Sequence, residues 1–93
     1  MNLYWVTTQD NSKDWFVVAN NKEEAITFQA VMQWFNYDLV NAEIVLEIPK
    51  TMYMNVGWPS MEEIVSFGAK ILRNKFPRVV EINGKKFCER ILS

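Results

Sequence analysis

The sequence predicts an α+β domain, a small and mostly antiparallel sheet with one long and one short helix. Three observations carry this reading. Asn83-Gly84 stands between two strand-like runs, the preferred dipeptide of a two-residue type I′ hairpin. Residues 42–48 alternate apolar and polar side chains, the pattern of a strand with one wet face. Residues 22–35 carry apolar side chains at helical spacing behind Glu23 and Glu24, where the helix dipole favours anions.

Taken in order, residues 3–9 and 14–19 are rich in aromatic and β-branched residues, and Asp10-Asn11-Ser12-Lys13 between them is turn material. Together they predict an N-terminal hairpin. Leu3, Trp5 and Thr7 share one face of its first strand and Tyr4, Val6 and Thr8 the other, so period 2 does not say which face is buried. Asn20 or Asn21 can cap the following helix, expected from about Lys22 to Phe35. Ala25, Phe28, Val31, Met32 and Phe35 fall within an arc of about 120° and form its expected core face. Ile26, Ala30 and Trp34 lie outside that arc and would cover a second element, a loop or a partner. In the central strand, Ala42, Ile44, Leu46 and Ile48 are expected to point inward, and Glu43, Val45 and Glu47 outward. Pro49 ends it, having no N–H for the ladder. Ser60 and Glu63 have capping-box spacing and open a short helix, with Gly68 as its left-handed stop. Ile71 and Leu72 suggest a short strand. The Asn-Gly turn then pairs Ile82 with Lys85, Glu81 with Lys86, Val80 with Phe87, Val79 with Cys88 and Arg78 with Glu89.

At 93 residues, 49% hydrophobic and 14% aromatic, the chain reads as one domain, 1–93, with enough apolar surface for a core of its own. Without histidine it has no Ser-His-Asp or Cys-His chemistry and no imidazole metal ligand. A single cysteine excludes an intrachain disulfide and any multi-cysteine metal centre. No apolar run approaches the roughly 18 residues of a membrane span, and the N-terminus lacks a signal-peptide pattern. The cytoplasm, with no membrane contact, is the expected location.

Net charge is −1, but it is segregated. Residues 1–69 set three bases against nine acids, whereas residues 70–93 set seven bases against two acids. With Glu81–Lys86 and Arg78–Glu89 neutralised across the hairpin, Lys70, Arg73, Lys75, Lys85 and Arg90 remain as an expected basic surface. Such a surface suits an acidic partner or a phosphate backbone. The acidic remainder of the chain and the lack of a zinc-finger, RRM or KH signature make nucleic acid the lesser alternative.

Chemistry-bearing motifs are otherwise sparse. Gly57, Gly68 and Gly84 are dispersed, and no phosphate loop exists. Glu23-Glu24 and Glu62-Glu63 diverge on their helices and serve as first-turn dipole complements, not acid/base pairs. Cys88 is expected as a small core residue opposite Val79. Glu43 and Glu47, read as sharing one wet face, have no further ligand for a metal. No enzyme, cofactor or metal centre is expected. The segment Lys50–Trp58 is a loop between two prolines, yet it carries Met52, Tyr53, Met54, Val56 and Trp58. Either it folds back to plug an open sheet face or it docks a partner. The expected function is a non-enzymatic protein-interaction domain: an adaptor, inhibitor or oligomerising accessory protein, of the kind phages and mobile elements encode. Met52, Tyr53, Met54, Trp58 and Trp34 are its candidate binding residues, and another protein or a second copy its partner. The alternative is a nucleic-acid module built on the basic C-terminal region.

Overall fold

Strand β1 (Asn2–Thr8) is apolar on both faces, and the fold buries both. In this computed structural model, which describes residues 1–8, 13–33 and 39–91, β1 is a central strand. It pairs antiparallel with β2 (Lys13–Ala19) on one side and β3 (Val40–Glu47) on the other. Leu3 and Trp5 join Phe16, Val18, Ile48, Ile64, Val80, Ile82 and Phe87 in one buried cluster. Tyr4 and Val6 join Val17, Ala19, Ala25, Ala30, Val40 and Ala42 in a second on the opposite face. The N-terminal sheet is therefore the middle layer of an α+β stack. Helix α1 (Lys22–Gln33) covers one side. Helix α2 (Met61–Ser66) and a three-stranded sheet cover the other. No helix among the described residues is long and apolar enough to cross a membrane.

Helix α1 starts as expected. The Asn21 side chain accepts from the Glu24 N–H at 2.8 Å, and the Glu24 carboxylate accepts from the Asn20 N–H at 2.8 Å. Its buried face matches the expected one only at Ala25 and the half-buried Phe28. Ala25, Gln29 and Ala30 are buried and Ile26 packs beside them, while Val31 and Met32 are 62% and 49% exposed. On a helical wheel the buried arc is turned by roughly 130° from the apolar arc read from sequence. Two causes are visible. The small Ala25 and Ala30 allow close approach to the sheet, and Gln29 is anchored at both ends of its amide. Its Nε2 donates to the Lys13 carbonyl at 3.0 Å, and its Oε1 accepts from the Trp58 indole at 2.9 Å. Phe35 and Trp34 lie outside the described residues.

In β3 the expected alternation breaks at a bulge. Leu46 pairs with Leu3 and Ile44 with Tyr4, so Val45 is the extra residue and the facing of side chains reverses across it. Ala42 consequently packs toward α1 and Leu46 toward the opposite cluster. Ile44, expected inside, is 60% exposed. Glu43 pairs with Trp5 and Glu47 with Asn2, which places the two carboxylates on opposite faces and not on one wet face.

The C-terminal half matches the local signals closely. Ser60 and Glu63 form the reciprocal capping box of α2, and Gly68 follows with φ +95°. Strands β4 (Lys70–Arg73), β5 (Val79–Ile82) and β6 (Lys85–Cys88) form the second sheet in the order β4-β5-β6. The β5–β6 register is the expected one, from Ile82↔Lys85 to Val79↔Cys88, around Asn83 and Gly84 at φ 52° and 79°. A two-residue strand, β7 (Arg90–Ile91), then pairs with Lys13 and Asp14 of β2, completing the order β3-β1-β2-β7. The hairpin thus crosses the N-terminal sheet as a strap. Its base is held at β2 by β7. Phe87 stacks in its middle against Trp5 and Phe16, with ring centroids 5.1 and 5.3 Å away, and its tip is tied to β3 by Lys85 Nζ–Glu43 Oε1 at 2.8 Å.

Candidate binding surfaces

The loop between β3 and α2 does two things at once. Gly57 forms an antiparallel bridge to Val18, with N–H···O distances of 2.8 and 3.0 Å, and so occupies the β2 edge beyond β7. That protects an otherwise open edge. Gly57 holds φ +147°, a conformation strained for any side chain. Met52 and Met54 turn inward against the cluster of Leu3 and Phe16. Tyr53 points away and is 89% exposed. Trp58 lies between these extremes at 36% exposure, with Phe28 edge-on to its ring at 5.2 Å and Lys13 Nζ 4.6 Å from its centroid. Of the loop residues named from sequence, then, two fill the core, one is free and one is shared with α1. Trp34 lies outside the described residues.

Val31 and Met32 of α1, expected inside, form an outward stripe that the half-buried Phe28 continues toward the core. Phe28, Val31 and Met32, at i, i+3 and i+4, line a groove of about 270 Å³ with Val56 of the loop and the flanks of Glu24 and Thr27. Trp58 touches Phe28, so loop and helix present one continuous apolar surface.

A larger cleft of about 510 Å³ lies at the base of the hairpin, lined by Asp14, Phe76, Pro77, Cys88, Glu89 and Arg90. Its charged groups are paired. Glu89, only 4% exposed, accepts from the Arg78 backbone N–H at 3.2 Å and from Arg78 Nε at 2.8 Å, and its second oxygen from Nη2. The Arg78 guanidinium lies 4.0 Å from the Trp15 ring centroid. Burial pushes the Glu89 carboxyl upward, but the Arg78 side-chain and backbone hydrogen bonds and its charge outweigh that and hold it below the usual range. The same hydrogen bond from Glu89 raises Arg78, against a smaller opposing effect of burial. Asp14 accepts from the Thr8 N–H at 3.2 Å and pairs with Arg90 Nε at 3.2 Å. Cys88 is opposite Val79 as expected but is exposed on the outer side of the hairpin, not a core residue. Among the described residues no group of three or more Cys, Asp or Glu is placed to hold a metal ion.

The expected basic surface must be redrawn. Lys85 and Arg90 are not free: the strap carries Lys85 to Glu43 at 2.8 Å and Arg90 to Asp14 at 3.2 Å. Both partners are distant in sequence, so local reading could not find them. Glu81 and Lys86 are cross-strand neighbours but do not form the expected ion pair, so Lys86, like Lys70, Arg73 and Lys75, has no carboxylate within ion-pair distance among the described residues. The register places Lys70, Glu81 and Lys86 in one row across the outer face of the small sheet, and Arg73, Val79 and Cys88 in the next. The chain as a whole matches no protein-family model, no curated protein and no solved structure.

Proposed function

We propose that the protein is a non-enzymatic interaction domain of the cytoplasm, acting as an adaptor, inhibitor or oligomerising accessory protein. Its docking surface is the apolar groove of α1 together with the outer part of the 50–58 loop, Tyr53 and Trp58. The observation behind this reading is the outward stripe of α1. Val31 and Met32 stand in solvent beside Val56 while a glutamine takes the inner position. A contiguous exposed apolar surface bordered by Trp58 has the composition of an interface centre. Spacing at i, i+3 and i+4 suits an amphipathic helix of a partner protein, which would seat its own apolar stripe along α1.

The test compares the wild-type chain with Val31→Asp and Met32→Asp. Both positions are exposed, so stability should change by less than about 0.5 kcal/mol. Binding partners recovered by affinity purification are purified and titrated against both forms by calorimetry, with light scattering to detect a second copy as the partner. Loss of at least about 2 kcal/mol of binding or self-association in the variants supports the proposal. Unchanged affinity in both variants overturns it.

A further inference from the structure

One surface is accounted for neither by the fold nor by the α1 groove: the outer face of the β4–β5–β6 sheet. Its outward row Lys70–Glu81–Lys86 sets two ammonium groups around a single carboxylate. Arg73 continues the face in the next row, and Lys75 follows in the turn after β4. These four bases have no ion-pair partner among the described residues, whereas Arg78, Lys85 and Arg90 each hold a carboxylate. Of the seven bases without an ion-pair partner among the described residues, four thus follow one another in this C-terminal layer, while Lys13, Lys22 and Lys50 are scattered over the rest of the chain.

We propose that this face docks an acidic, extended segment of a partner protein, with Lys70, Arg73, Lys75 and Lys86 taking its carboxylates. Charge complementarity gives the sign of the partner. The outward positions of the sheet decide its class. They are Lys70, Arg73, Val79, Glu81, Lys86 and Cys88, none of them aromatic; the exposed Phe76 lies off the ladder between β4 and β5, a single ring and not a platform for successive bases. Glu81 sits at the centre of the row, where an evenly charged phosphate backbone would pass over it. Carboxylates on a polypeptide are discrete and can straddle it, since Lys70 and Lys86 are two strand spacings, about 9–10 Å, apart. Leu72 and Phe76 are exposed beside the bases, and an apolar and cationic mixture of this kind fits a protein partner.

Fluorescence anisotropy on the full chain tests this with a labelled oligoglutamate as probe, and with a DNA duplex and a single-stranded RNA as separate probes. The oligoglutamate should bind at low ionic strength and weaken as salt approaches about 0.15 M. Lys70→Glu and Lys86→Glu should each weaken it at least roughly fivefold, while Lys22→Glu, the same charge change on α1, should have less than about a twofold effect. Glu81→Gln should tighten it, an effect that general loss of folding would not produce. The Val31→Asp variant should bind the probe as wild type does, which separates this surface from the α1 groove. Absence of binding, equal weakening by Lys22→Glu, or tighter binding of DNA or RNA than of oligoglutamate overturns the proposal.

Discussion

Glu89 shows how a single side chain couples the hairpin to pH. Its carboxylate is buried, and Arg78 supplies hydrogen bonds to both oxygens while stacking on Trp15. Because the folded carboxyl titrates below its ordinary value, the unfolded chain takes up the proton first as pH falls. The stabilisation is therefore complete above that value and is lost as pH drops through the lower folded one. Glu89→Gln keeps the shape but removes the charge. It should cost about 1–3 kcal/mol at neutral pH and flatten the acid limb of a stability profile measured by urea unfolding. An unchanged acid limb in this variant would assign that limb to other carboxylates. Gln29 is the neutral counterpart of this arrangement. One amide holds the start of β2 through the Lys13 carbonyl and the β3–α2 loop through Trp58. A lone glutamine in an amphipathic pattern gives no sign of such a role, and the actual inner face of α1 was unreadable for that reason.

At the level of elements, what could be read from sequence is what local chemistry controls. The β5–β6 register follows from a turn that needs two positive φ values, from Arg78 with Glu89, and from Val80 with Phe87, all within a dozen residues. The α2 capping box is equally local. The elements that misled are those set by distant partners. The β3 bulge answers to β1, and the phase of α1 to Lys13 and Trp58. Half of the 50–58 loop falls in the same class. Met52 and Met54 pack inward and Tyr53 outward, and only the tertiary fold sets that division among three large side chains in a row. The turn can be tested where its chemistry is most local. Gly84→Ala forces a side chain into φ 79° and should cost about 1 kcal/mol. Asn83→Gly should be nearly neutral. Equal losses from both in thermal unfolding would mean that the conformation of the turn is not what sets the register.

For the whole molecule, the decisive feature is that two sheets share one aromatic cluster. Trp5 and Trp15 belong to the N-terminal sheet, Phe87 to the C-terminal one, and Phe16 lies within 5.3 Å of all three rings, centroid to centroid. The small sheet buries only one face and has its other face in solvent, so it has little reason to persist once Phe87 is withdrawn. The chain continues from β6 directly into β7, and the tip of the strap is tied to β3, so separation of the layers breaks contacts at both ends as well. Cooperative loss of the two sheets is the expected consequence. Phe87→Ala should destabilise the protein by about 3–5 kcal/mol, yet leave far-UV circular dichroism and tryptophan emission unfolding at one common midpoint. If the variant instead shows two separated transitions, with the C-terminal sheet melting first, the strap is an accessory layer on an independently stable N-terminal unit. In that case the cationic face would be lost under mild destabilisation while the α1 groove survived, and the two proposed docking surfaces would be separable by temperature alone.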